Sequence, residues 1–144
     1  HALRTRLLPL ATVATPNLPA AELLLGRKIP ALEAMAEAAA ALRALGASAV
    51  LLKGGHLQGG GEVVDILADA EGELRTAHPR LALDAHGTGC TLASAVAANL
   101  ARGLPLRQAC TAAVDYVHAA LRAHYRPGRG DVAVLDHFAT LPGR

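Results

Sequence analysis

The chain has 144 residues, with 52% hydrophobic and 18% charged side chains and a formal net charge of +2. That is enough chain and enough apolar surface for one compact domain with a core, and it excludes a disordered or polyelectrolyte chain. The Arg residues are scattered and aromatic residues make up only 2%, so nothing points to nucleic acid, and no apolar run reaches the roughly 18 residues of a membrane span.

The sequence opens on His1 rather than Met and enters strand-like residues almost at once. That reads as a processed N-terminus or as part of a longer chain. "LATVATPN" (Leu10 to Asn17) predicts a short buried strand that stops at Pro16. "LPAAELLLG" predicts a short helix ended by Gly26. A longer helix is expected from Ile29 with Pro30 in its first turn. Leu32, Met35, Ala36, Ala39, Leu42 and Leu45 recur there at helical spacing, and Gly46 supplies the stop.

"SAVLLKGG" is a continuous apolar run after a helix, the signature of a strand buried on both faces. Leu10 to Leu52 therefore reads as a strand–helix–strand parallel crossover. "QGGGE" (Gln58 to Glu62) reads as a flexible loop. "EVVDILAD" and "GELRTAHP", separated by "AEG", predict a hairpin. After the "HGTGC" turn, Leu92, Val96 and Leu100 mark a helix that ends near Gly103. Pro105 opens another, with Leu106, Ala109, Cys110, Ala113, Val117 and Leu121 on its apolar face. "RPGRGD" is a loop, and "VAVLDHF" is a last strand or a docked tail. No repeat or linker divides residues 1–144, and the fold class is α/β with a mainly parallel sheet flanked by helices.

Cys90 and Cys110 are the two cysteines. They form neither a CxxC pair nor a disulfide framework, so a reducing cytoplasm is expected. No histidine shares zinc-ligand spacing with a cysteine or another histidine, and no protein metal ligand is assigned. Cys110 falls on an apolar helix face and is expected to pack. Cys90 stands where a glycine turn becomes a helix. Gly87 and Gly89 let the backbone approach a ligand closely. The amides of Gly87 to Cys90 would converge at the positive end of a helix, which suits an anion. A thiol there feels the same field. Amides around a phosphate with a potential base beside them suit phosphoryl transfer, and a structural turn is the alternative. Neither GxxxxGK[ST] nor a GxGxxG after a strand occurs.

"TPNLPAAELLLG" (Thr15 to Gly26), "VLLKGGHL" (Val50 to Leu57) and "HGTGCTLASAV" (His86 to Val96), in that order, resemble the hydroxymethylpyrimidine and phosphomethylpyrimidine kinases of thiamine biosynthesis. These belong to the ribokinase-like superfamily. The resemblance implies a three-layer ribokinase-like fold, of which this chain matches the C-terminal portion, and cytoplasmic, ATP- and Mg2+-dependent phosphorylation of the pyrimidine and then of its monophosphate. It implies that Cys90 is the base for the substrate hydroxymethyl group, and that Gly87, Thr88 and Gly89 with the Cys90 amide form the anion hole. Lys53 would sit near the ATP phosphates, and Asn17 would help hold the magnesium–phosphate cluster through water. Asp65 and His56 are weaker candidates, each with a structural alternative. Thr91 would cap the helix or touch a phosphate.

The family pattern of Asn followed three residues later by Glu is broken, since Ala20 holds that place. Glu22 lies two residues on, about 200° around a helix. The part of the family domain that holds the pyrimidine has no counterpart here, so the chain is expected to pair with a missing N-terminal half. A homo-oligomer is also expected from the family. A pyridoxal kinase with the same cysteine turn is the alternative substrate assignment. A non-catalytic module that binds nucleotide or pyrimidine is the alternative that Ala20 favours.

Overall fold

The computed structural model describes residues 2–57 and 59–141, which form two compact units, 1–80 and 81–144. Gln58, the first residue of the glycine-rich loop, lies outside the described residues.

In the first unit, Leu3–Leu7 is a π-helical turn and Leu8–Leu10 a 3-10 turn. α1 (Leu18–Leu25) follows, then α2 (Leu32–Arg43), β1 (Val50–Leu52), β2 (Glu62–Asp69) and β3 (Gly72–Pro79). α1 ends at Gly26, whose φ of +70° is open to glycine at no steric cost. α2 begins at Leu32 after Ala31 in extended backbone, so Pro30 precedes the helix instead of opening it. Its buried residues are Met35, Ala38, Ala39 and Leu42, one stripe at helical spacing. That stripe packs on β1 and β2, with α1 against α2. Burying Met35 and Leu42 contributes on the order of 2–3 kcal/mol each.

All three residues of β1 are buried, as a strand covered on both faces requires. The strand predicted over Leu10 to Asn17 does not form as such. Leu10 closes the 3-10 turn, and the residues after it make parallel bridges to the β1 region only at Ala14↔Val50 and Asn17↔Lys53. Ala14 N–H donates to Ala49 C=O (3.0 Å), Leu51 N–H to Ala14 C=O (2.8 Å) and Lys53 N–H to Pro16 C=O (3.1 Å). The next rung needs an N–H on residue 16, and proline has none, so the ladder is broken there.

The hairpin forms as the sequence indicates. β2 and β3 pair antiparallel from Glu62↔Pro79 to Asp69↔Gly72, around a turn in which Asp69 Oδ1 accepts from Glu71 N–H (2.8 Å). β1 pairs antiparallel with β2, which makes this sheet β1-β2-β3. Parallel pairing sits in the Ala14 and Asn17 bridges and in the second unit.

That unit contains β4 (Ala85–His86), α3 (Thr88–Ala101), α4 (Leu106–Arg122) and β5 (Ala133–Val134), with β4 and β5 parallel. β5 realises the predicted last strand. α3 packs against α4, and α4 buries Ala109, Cys110, Ala113, Val114 and Ala120. Pro105 is the cap of α4 rather than its first residue. No helix among the described residues is long and apolar enough to cross a membrane.

One backbone contact in the first unit has a direct consequence. A Cβ on Gly54 would lie 2.0 Å from Val64 carbonyl oxygen, which no rotamer change relieves. Gly54→Ala is therefore expected to destabilise the protein by about 3 kcal/mol. A Cβ on Gly55 would meet its nearest neighbour, Val63 Cγ1, at 4.0 Å. Gly55→Ala is expected to change stability by no more than about 0.5 kcal/mol. Urea denaturation of the two variants checks the contrast.

Candidate functional site

In the second unit, β4 leads directly into the turn that starts α3. Gly87 takes the N-cap position with φ +88°, a left-handed conformation that a side chain would strain. Thr88, Gly89 and Cys90 are the first three helical residues. The first bond within the helix runs from Thr91 N–H to Gly87 C=O at 2.9 Å. The N–H groups of Thr88, Gly89 and Cys90 thus have no acceptor inside the helix, and no side chain caps it. Three amides at the positive end of a 14-residue helix suit an anion.

Cys90 is exposed at this helix start, whereas Cys110 is buried on α4 as the periodicity indicated. A groove of about 600 Å³ opens beside the thiol, lined among others by Cys90, Thr91, Ser94, Asn99 and Tyr116. Tyr116 Oη donates to His137 C=O at 2.9 Å, which ties α4 to the segment after β5. Thr91 is not the cap of α3. Gly87 occupies that place, because only a residue at ease with positive φ fits the turn.

In the first unit, Asn17 is the N-cap of α1, its Oδ1 accepting from Ala20 N–H at 2.9 Å. It is therefore more than a turn residue. Its carbonyl oxygen has two lone pairs, so a water can still be held there. The Asn17↔Lys53 bridge puts these two residues side by side. Asp65 is on β2, half-buried, and its Oδ1 accepts from Gly54 N–H at 2.8 Å. Burial pushes the Asp65 carboxyl above the ordinary carboxylate range, and the Gly54 bond and the charges of Lys53 and His78 oppose that rise. His56 is exposed in the turn that follows Lys53.

Ala20 is exposed on α1 and offers no ligand. Glu22 is half-buried on α1. It accepts from Lys28 Nζ (2.8 Å) and from Ile29 N–H (2.9 Å), binding the end of α1 to the chain entering α2. The Lys28 and Ile29 bonds hold its carboxyl below the usual range. Among the described residues, no group of three His, Cys, Asp or Glu side chains is placed to hold a metal ion.

Arg80 escaped sequence reading. Its Nη1 donates to Gly55 C=O (3.1 Å) and its Nη2 to Glu62 C=O (3.4 Å). A single arginine after the hairpin carries no local pattern that would mark it.

A family model described as "Phosphomethylpyrimidine kinase" matches residues 1–135. The chain is 52% identical over 129 residues to the thiamine biosynthesis bifunctional protein of Geobacter sulfurreducens, covering 89% of this chain and 26% of that protein. It is 49% identical over 137 residues to the hydroxymethylpyrimidine/phosphomethylpyrimidine kinase of Rhizobium meliloti, covering 91% of this chain and 51% of the relative. Among solved structures, an ADP complex of Bacillus subtilis pyridoxal kinase superposes with a TM-score of 0.89 at 37% identity, over 96% of this chain and 54% of that one. The chain thus spans about half the length of the kinase relatives it matches, or less.

Two measurements test the site as described. A thiol alkylating reagent is expected to modify Cys90 readily in the folded protein and to reach Cys110 only on unfolding, read by peptide mass. Asp65 supplies a pH test. Its folded carboxyl titrates above its unfolded value, so it favours the folded state at acid pH, and this is lost as pH rises through the raised value. Asp65→Asn lacks that titration. Its denaturation midpoint relative to wild type should improve from below about pH 4 to pH 7.

Proposed function

The chain belongs to the phosphomethylpyrimidine kinase family, with the ribokinase-like α/β fold, and from that premise we propose that it carries the phosphoryl-transfer part of a thiamine-pathway kinase. The reaction is ATP-dependent phosphorylation of hydroxymethylpyrimidine and then of its monophosphate. The observation that carries this reading is the start of α3, where three amides lack helical acceptors and Cys90 stands exposed in the same turn. The family model runs across both compact units, which supports treating residues 1–144 as part of one kinase domain.

The roles follow from chemistry. The amides of Thr88, Gly89 and Cys90, with Gly87 shaping the turn, would stabilise charge on the phosphoryl group as it moves. Cys90 would accept the proton of the substrate hydroxyl. Lys53 would place a point charge near the nucleotide phosphates. Asn17 would hold water of a magnesium–phosphate cluster through its remaining lone pair, and Thr91 would border a phosphate group at the start of α3. The groove of about 600 Å³ beside Cys90 is large enough for a small planar ring or a nucleotide moiety. Bound Mg2+ would neutralise phosphate charge, held chiefly by the phosphates and water, in keeping with the lack of a carboxylate at Ala20. A complete catalytic domain would need pyrimidine-binding residues from outside residues 1–144 and would act in the cytoplasm.

A pyridoxal kinase is the second reading. The observation that favours it is the superposition on pyridoxal kinase. Both substrates present a hydroxymethyl group on a flat aromatic ring, and competition between the pyrimidine and pyridoxal for turnover separates them.

The two phosphorylations make different demands on Cys90. A hydroxymethyl group must lose a proton to attack. A phosphate monoester has its second pKa near 6 and is already largely dianionic at neutral pH. In the full-length protein with ATP and Mg2+, Cys90→Ala is expected to slow the first phosphorylation about 10²–10⁴-fold while nucleotide binding survives. The second phosphorylation should fall by much less. Equal loss in both steps would make Cys90 part of the anion hole alone. Unchanged rates in both would remove it from the mechanism.

A further inference from the structure

Lys53 reaches its place through main-chain constraints on both sides. On one side its N–H donates to Pro16 C=O at 3.1 Å, and it bridges Asn17. On the other, the β1–β2 register, last paired at Leu52↔Ile66, sets Lys53 across from Asp65 when continued by one residue. The contact there is made by a side chain, the 2.8 Å bond from Gly54 N–H to Asp65 Oδ1. Gly54 is buried and has no room for a Cβ against Val64 C=O, so its amide can approach β2 this closely only because it is glycine. The next residues form a turn, with Leu57 N–H donating to Gly54 C=O at 3.0 Å and Arg80 holding Gly55 C=O. Continued main-chain pairing would have ended β1 as a flat strand. A side-chain acceptor lets the chain turn immediately after Lys53 while the Gly54 amide stays satisfied.

We propose that Asp65 is a positioning residue for phosphoryl transfer: its carboxylate anchors the Gly54 amide, so that Lys53 is held in one orientation toward the nucleotide phosphates. Asp65 does not touch the reacting atoms. This inference rests on the kinase reading for the role of Lys53, but the anchoring of Gly54 is independent of it. Asn at position 65 retains an acceptor oxygen and can keep the anchor. Ala and Leu cannot, and Leu fills the volume that Ala would leave empty.

The test uses the full-length protein and the variants Asp65→Asn, Asp65→Ala, Asp65→Leu, Lys53→Ala and the double variants Lys53→Ala/Asp65→Ala and Lys53→Ala/Asp65→Leu. Apparent KM for ATP, KM for hydroxymethylpyrimidine and kcat are measured, together with hydrogen exchange of the Gly54 amide by NMR. Asp65→Ala, or Asp65→Leu if the alanine variant does not fold, is expected to raise the KM for ATP about tenfold. The KM for the pyrimidine should stay within about twofold, and Gly54 exchange should accelerate. Asp65→Asn should remain near wild type in both readouts. Adding Asp65→Ala or Asp65→Leu to Lys53→Ala should cost nothing further in KM for ATP, because the two act through one orientation. The proposal is overturned if the acceptor-free variants leave the KM for ATP unchanged, if both substrates weaken equally, or if the double-variant effects add. If wild type fails to phosphorylate the pyrimidine or pyridoxal, the kinase reading fails. Gly54 exchange in the Asp65 variants still decides whether Asp65 anchors this turn, and unchanged exchange overturns that anchor.

Discussion

The architecture around Lys53 depends on the absence of one methyl group. Gly54 sits so close to β2 that a Cβ would lie 2.0 Å from Val64 carbonyl oxygen. That approach brings its amide to Asp65 and lets the chain turn directly after Lys53. It also leaves Lys53 beside Asn17, because the parallel bridge between them is the last contact before the chain turns away. A larger residue at 54 would push the turn off the sheet and carry Lys53 with it. The core stripe of α2 packs over β1 and β2, and Met35 Cε lies within 3.3 Å of where that methyl would go. The pressure on Gly54 thus comes from the core as well as from the strand.

The start of α3 solves a different problem by related means. A helix must leave its first amides unpaired, and proteins usually satisfy them with a Ser, Thr, Asp or Asn cap. α1 does so with Asn17. α3 has Gly87 in the left-handed region and no capping side chain, so its amides are left for a ligand or for water. The two helix starts in one chain make the contrast visible. A capped helix has its electrostatic end partly neutralised by its own side chain. An uncapped one presents it, and here an exposed thiol stands in the first turn.

Glu22 is used by the fold itself. With alanine three residues after Asn17, the nearby glutamate is engaged by Lys28 and the Ile29 amide and stabilises the exit from α1. Its carboxylate is committed to a structural contact.

Sequence periodicity determined the elements with strong local signals. The stripe of α2, the buried strand at Val50, the hairpin about "AEG", the helices after "HGTGC" and Pro105, and the stops at Gly26 and Gly103 all follow from spacing, turn residues and glycine freedom. The glycine–cysteine turn was legible too, because helix-start electrostatics depend on a few adjacent residues. What the sequence could not determine depended on partners distant along the chain. The segment before Asn17 looks like a strand by composition, yet the hydrogen bonds available across from it leave only isolated bridges, since proline interrupts the ladder at residue 16. The choice of Gly87 over Thr91 as the cap was set by backbone conformation. Asp65 and Arg80 gained meaning only when β2 and the end of β3 came beside the Lys53 turn, eleven and twenty-five residues from the groups they hold. Hydrogen bonds are short-ranged and directional, so their pairing is decided by the folded arrangement, while amphipathic period and turn chemistry are properties of the local chain.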